Sequence, residues 1–291
     1  MCVILYRTSD LTLDPTYCLE QLGRWDRDRY LAILASPNGL RAPFAVLAAF
    51  NLELARVSDS VSEQMLGLIR LQWWRDVLGE IAGGGMVRRH AVSTPLAEIV
   101  RQHHLPIDLL EAMISAREND IDPEVAMSLD ETEAYLDATA GNLIRLSLQV
   151  SGLAAGQGRV TEMARHAGIA YGLTGLIRAT LFHAQSRRLL LPRDVLQRHG
   201  VDADRLAELK PQAALPLAIA DLAQHAFGHL DRLRALTPPR QAVPALLIAR
   251  LAARQLERLK QGGYDLFDYG NIANAPTDIW RLLAARFIGR L

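Results

Sequence analysis

The chain is almost without lysine. Lys210 and Lys260 are its two, and every other basic residue is arginine. A coding bias is the plain explanation; the functional one is that several guanidinium groups hold phosphate or carboxylate. The two cysteines, Cys2 and Cys18, are too few for a disulfide framework or a zinc signature, so a reducing compartment is expected. No apolar run reaches the ~20 residues of a spanning helix. The opening MCVILYRTSDLTLDP lacks a basic segment followed by a long apolar one, so no secretory leader is expected. Acidic and basic residues balance at 32 each, which gives no global attraction to nucleic acid or to anionic surfaces. Sustained alternation of apolar and polar residues is missing too, which argues against strands.

Half of the 291 residues are hydrophobic, enough for a sizeable core. Helical spacing is predicted from Pro15 to Leu34, ended by the turn cluster Ser36-Pro37-Asn38-Gly39, and again from near Pro43. Ser62 to Glu80 reads as a third helix with Leu66, Ile69, Trp73, Val77 and Ile81 as its stripe. Gly83-Gly84-Gly85 closes it as a loop, without the pattern of a phosphate cradle. Further helices are predicted at Thr94–His103, Pro106–Asp120, Asp130–Gly152 and Val160–Ala184. The last third adds Pro192–His199, Leu215–Leu236, Val243–Lys260 and Asp278–Arg290. No repeat or low-complexity linker divides the chain, so residues 1–291 are expected to form one all-α helical bundle domain.

The stretch with most chemical content is Tyr171 to Pro192, YGLTGLIRATLFHAQSRRLLLP. Leu173, Leu176, Ile177, Leu181 and Ala184 mark a helix that should stop before Arg187 and Arg188, and Pro192 can open the next one.

This stretch resembles the second signature of the squalene and phytoene synthases. There an arginine, matched here by Arg178, precedes a helical Asp-x-x-x-Asp, and an R-x-x-L-P turn follows. The two aspartate positions fall on Ala179 and His183. Carboxylates four apart share a helix face and give magnesium its hard oxygens; alanine gives none, and imidazole suits softer metals. The first signature is matched by Asp59 and Glu63 in LELARVSDSVSEQ, so both carboxylates survive. With Arg56 they would share one helix face if the helix continued that far. In the other reading Asp59 or Ser62 caps the next helix, with Glu63 in its first turn.

The resemblance runs from about residue 17 to about 270 and includes Trp73-Trp74-Arg75, Thr139-Ala140-Gly141 and Gly263-Tyr264-Asp265-Leu266-Phe267. AFNLELARVSDSVSE, GLIRLQWWRDVL and LIRATLFHAQSRR resemble the non-catalytic branch that contains the mitochondrial assembly factor for respiratory complex I. It implies an isoprenoid-synthase-like bundle around a central cavity, a pseudoenzyme, and partners among complex I subunits or assembly intermediates. The implied place is the cytoplasm, with peripheral contact at the inner face of the inner membrane of a bacterium. No cofactor is expected on that reading. The alternatives are a Mg2+-dependent prenyltransferase that condenses prenyl diphosphates, using Asp59 and Glu63, or a prenyl-lipid carrier.

Arg56, Arg178, Arg187 and Arg188 are the candidates for diphosphate or lipid; the plainer reading pairs them with the protein's own carboxylates, such as Asp194 or Glu63. Lone His183 reads first as a packed polar residue. His103-His104 and His225 with His229 are assigned to surface or packing. Arg117, Glu118, Asp120 and Asp122 form a charged helix end, part of which reaches the cavity or none of it does. Trp25, Trp73, Trp74 and Trp280 read as core, except that adjacent Trp73 and Trp74 cannot face the same way.

Overall fold

Asp26 interrupts the first predicted helix. Its carboxylate accepts from the Arg29 backbone N–H and caps a new helix, so the segment forms two helices, α1 (Thr16–Trp25) and α2 (Arg27–Ala35). The computed structural model describes residues 15–59, 63–122, 127–156, 158–268 and 277–289. Ser36-Pro37 ends α2, but Asn38 and Gly39 belong to the first turn of α3 (Asn38–Ala55), because Pro37 at the cap sets the chain in extended conformation just before it. Pro43, expected near the start, therefore lies inside α3 and is buried.

The chain continues through α4 (Gln64–Ala82), α5 (Ser93–His103) and α6 (Ile107–Ala116) into a 3-10 turn, Arg117–Asp120. α7 (Leu129–Leu136) opens with a capping box between Ser128 and Glu131, and a π-helical turn, Asp137–Gly141, joins it to α8 (Asn142–Val150). α9 (Gly158–Gln185) is followed by the short α10 (Arg193–Arg198) and α11 (Ala203–Ala207), then by α12 (Ala214–Ala235), α13 (Val243–Gln261) and α14 (Asp278–Ile288). No strand occurs among the described residues. The predicted all-α bundle is what forms.

α9 is the axis. It buries residues on all sides, from Val160 through Ile169 and Leu173 to Ala184, and packs against α8, α12 and α13. Gly141 and Gly168 make this possible, since a Cβ at Gly168 would lie 2.5 Å from the Gly141 nitrogen and 2.6 Å from its Cα. The small-residue segment Thr139-Ala140-Gly141 thus brings two helix backbones together.

The stripe predicted for α4 is rotated. Val77 and Ile81 are buried, but Leu66 and Ile69 are 46% and 57% exposed. The buried line at that end instead passes through Gly67, where a Cβ would meet Ile121 at 3.0 Å. A glycine at the contact carries no apolar signal, which is why the spacing misreads the face. Two tryptophans also leave the expected core: Trp25 is 49% and Trp280 70% exposed, whereas Trp74 packs edge-on to Phe50 and Trp73 packs on Trp74.

Candidate functional site

α3 ends at Ala55, so the residues of the first motif do not share a helix face. Arg56 is the helix C-cap and its guanidinium stacks 4.2 Å above Trp25. Asp59 stands in the turn that follows, and Glu63 is itself the N-cap residue of α4, in extended conformation and with no side-chain capping bond. The reading in which Asp59 caps the next helix with Glu63 in its first turn is corrected accordingly; Ser62 lies outside the described residues. The chain leaves the helix here because Val57 is buried and Ser58-Asp59 are turn formers.

On the opposite wall, Ala179 and His183 lie one turn apart near the end of α9. Burial pushes the His183 imidazole below its ordinary 6.5, Arg188 pushes it further down, and Asp59 and Asp120 partly oppose them. The ring is therefore neutral at pH 7, and it packs edge-on to Phe182 at 5.3 Å.

The basic turn after α9 closes over this space. Arg187 adopts φ 55°, exposed, which turns Arg188 inward. The Arg188 guanidinium donates to the Asp120 carbonyl at 2.7 Å and lies 3.3 Å from the Ser58 hydroxyl and 3.4 Å from an Asp59 oxygen. A side chain of the protein itself thus faces the first-motif aspartate. Arg178 is likewise engaged internally. It donates to Asp28 at 2.8 Å, and Gln255 of α13 donates to the same oxygen at 2.9 Å. The partners expected from sequence for these arginines, Asp194 and Glu63, are not the ones used: Asp194 accepts from the Leu129 backbone and pairs at long range with Arg198.

Between the two walls lies a polar network that sequence reasoning found only in part. Arg117 donates to Asp120 at 2.9 Å and to the Tyr135 hydroxyl at 2.6 Å, and Tyr135 donates to Asp120 at 3.0 Å. The charged helix end does reach the interior, through Arg117 and Asp120, while Glu118 faces outward to Arg75 at 2.5 Å. Burial pulls the Arg117 guanidinium down, but Tyr135 and Asp120 outweigh it and hold it fully charged. Burial drives the Tyr135 phenol far above its usual range, so it stays protonated and can donate. Arg29 lies beside Asp26 at 2.5 Å and 4.8 Å over the Tyr171 ring. The signal that could have revealed this network was the density of charge in WDRDRY, three residues of which turn inward.

A partly open pocket of about 50 Å³ between α2, α3, α8 and α13 is lined by Phe44, Ala48, Leu143, Ile144 and Ile248 with Arg29 at its wall, and by none of the motif residues. Small-molecule sites usually need roughly 300 Å³ or more.

A diphosphate clamp requires magnesium. Magnesium asks for several oxygen ligands in a tight octahedron. Ala179 offers a methyl, His183 a nitrogen, Asp59 one carboxylate already facing Arg188, and Glu63 sits beyond the turn on another helix. Among the described residues no three His, Cys, Asp or Glu side chains converge on a metal position. The residues do not fit the ion, and no chemical step is derived through it. The histidine pair at His225 and His229 is split as well: His225 faces Asp221 at 3.7 Å, while His229 is buried against His166 and Glu133.

The all-α bundle is the fold of the isoprenoid synthases. Superposition on a dehydrosqualene synthase crystal structure gives a TM-score of 0.80 over 94% of this chain and 95% of that one, at 19% identity. The chain belongs to the squalene/phytoene synthase family, whose model matches residues 22–281. It is 32% identical over 253 residues to the bovine NADH dehydrogenase (ubiquinone) complex I, assembly factor 6, covering 86% of this chain and 75% of that protein. It is 28% identical over 201 residues to the presqualene diphosphate synthase of Rhodopseudomonas palustris, covering 69% and 70%.

Proposed function

We propose that this member of the family does not transfer prenyl groups and instead assists the biogenesis of a respiratory NADH:quinone oxidoreductase, working peripherally at the cytoplasmic face of the membrane that holds it. The observation that carries the reading is the pairing of the two motif walls. One has lost its carboxylates to Ala179 and His183, and the other has Asp59 facing the protein's own Arg188. Condensing prenyl diphosphates requires leaving-group charge to be neutralised from both walls. Removing a single charge-stabilising group costs about 2.7–4 kcal/mol of barrier, so the loss of two slows turnover by several orders of magnitude. The assembly role is supported by likeness: relatives called complex I assembly factor 6, in mammals and in Dictyostelium discoideum, match most of the chain.

In this reading Arg178 and Arg188 hold the internal scaffold, Arg56 stacks on Trp25, and Arg187 is the exposed arginine of the four. The test has two arms. Purified protein is incubated with farnesyl and geranylgeranyl diphosphate, magnesium or manganese and NADPH, and diphosphate release is measured; no release above an empty-vector control is expected. The tagged protein is then used to capture oxidoreductase subunits from solubilised membranes, and Asp59→Ala is expected to capture them equally well. Metal-dependent release that disappears in Asp59→Ala would overturn the proposal in favour of a prenyltransferase. Copurifying prenyl lipid with no subunit captured would overturn it in favour of a carrier.

A further inference from the structure

A second concave site lies on the outer side of the bundle, away from both motif walls. α12, α13 and α14 enclose a cleft of about 410 Å³. Its apolar floor is formed by Leu230, Leu233 and Ala249, and its walls by five arginines: Arg234, Arg250, Arg254, Arg258 and Arg281. Arg250, Arg254 and Arg258 follow one another at four-residue steps, which stacks them along a single face of α13.

The charges there do not balance. Asp278, fully buried at the start of α14, faces Arg254 at 3.3 Å and Arg258 at 3.4 Å, and exposed Asp231 takes Arg234 at 2.8 Å. Arg250 and Arg281 have no ion pair among the described residues, and the lining adds one glutamate, Glu257. Nε of Arg250, and Nε and Nη2 of Arg258, are buried without a hydrogen-bond partner. Nε of Arg117 in the interior is in the same state; what sets the cleft apart is that the donors of five guanidinium groups outnumber the carboxylates that meet them, which leaves room for an acceptor from outside the chain. Burial lowers the Arg250 pKa, and its neighbours Arg254, Arg234 and Arg281 add to the strain of holding the charge. An anion relieves both costs, and several forked guanidinium groups match phosphate oxygens in pairs.

The wall that carries Arg281 also shows what bears the anion. α14 buries Asp278, Leu282 and Ala285 and turns Trp280, Phe287 and Ile288 outward, each 69–70% exposed. These three fall at i, i+7 and i+8, one apolar stripe running the length of the helix. A tryptophan-bearing apolar face beside a basic cleft is the pattern of a helix that lies in a membrane interface. No helix among the described residues is long and apolar enough to cross a membrane.

We propose that the cleft between α12, α13 and α14 receives the phosphate of an anionic lipid head group while the outer face of α14 lies in the bilayer surface. The surface gives the proposed function its membrane contact and rests on that reading for its biological setting alone. The experiment uses the purified full chain and no oxidoreductase, so failure here and failure of subunit capture are read separately.

Co-sedimentation with phosphatidylcholine vesicles is compared with vesicles that also contain phosphatidylglycerol. Binding to the anionic vesicles is expected and should fall steeply as salt rises. Arg250→Gln combined with Arg281→Gln should weaken it by about tenfold or more, and Trp280→Ser with Phe287→Ser should abolish it while thermal melting stays near that of the parent. Equal binding to neutral vesicles, or retention of anionic binding in the arginine variant, would overturn the proposal. Calorimetry with inorganic diphosphate separates the sources of phosphate. Tight binding of the free anion, lost in the arginine variant and accompanied by no vesicle binding, would overturn the lipid assignment.

Discussion

Between α2, α3, α7 and α9, each inward-facing arginine lies against an aspartate: Arg29 on Asp26, Arg178 on Asp28, Arg117 on Asp120. Between α12, α13 and α14, five arginines share a cleft with Glu257 and the carboxylate of Asp278, and three of their nitrogens find no partner. The residue type is the same and its use is opposite. In the interior, Arg178–Asp28 ties α9 to α2 while Arg29–Asp26 and Arg117–Asp120 are three-residue pairs within one segment, with Nε of Arg117 left unpartnered; on the outer face the guanidinium groups outnumber the carboxylates that meet them. Charge balance around an arginine therefore tells more than its burial, and four measurements can break or sharpen the contrast.

The largest effect is expected inside. Asp28→Ala removes the buried carboxylate that Arg178 and Gln255 share. Breaking one side of a buried pair typically costs about 3–5 kcal/mol, and the urea midpoint should drop accordingly. A loss below about 1 kcal/mol would place this pair with ordinary surface bridges and undo the contrast. Next comes the packing that holds the network closed. Gly168→Ala places a methyl 2.5 Å from the Gly141 backbone, where nothing can rotate away, and overpacking of this kind costs about 1–3 kcal/mol.

The outer cleft predicts the opposite sign. Arg250→Leu replaces an under-partnered charge, crowded by Arg234, Arg254 and Arg281, with an apolar group. Stability should stay the same or rise by up to about 1 kcal/mol; a loss of several kcal/mol would show that Arg250 is structural.

The smallest effect concerns the buried histidines. His166 and His229 meet through their Nδ1 atoms at 2.9 Å, which requires one to donate and the other to accept, so both cannot be protonated there. Burial depresses both pKa values; Glu133 and Glu162 oppose this, and Arg165 and Arg232 reinforce it. Because the folded values lie below the ordinary 6.5, the unfolded chain takes up protons first as the pH falls. The stability due to the neutral pair is complete above about pH 6.5 and is lost as the pH falls through the folded-state values. Urea unfolding followed from neutral to mildly acidic pH should show this decline, and His229→Gln should flatten it.

How far the sequence could be read varies by element. α5, α9, α12 and α13 follow their predicted bounds closely, because long amphipathic or apolar periods and glycine, proline or basic stops act locally. The split at Asp26 was written as a capping aspartate, yet continuous apolar spacing on both sides hid it. The rotated face of α4 was hidden because its contact is a glycine. In the candidate site, that residues 179 and 183 lie one turn apart on a helix was legible, since four-residue spacing on a helix is a local property. That Asp59 lies in a turn and faces Arg188 was not, because it depends on where α3 stops and on a basic turn that arrives from more than a hundred residues later.

What the sequence by itself determined is the helical class and the family: residue types and short-range periods carry both. Only the tertiary structure decided which carboxylate each arginine meets, and that Arg250 and Arg281 share a cleft without an ion-pair partner among the described residues. Such pairing and clefts are set by distances between helices remote in the chain, and no local pattern encodes those distances.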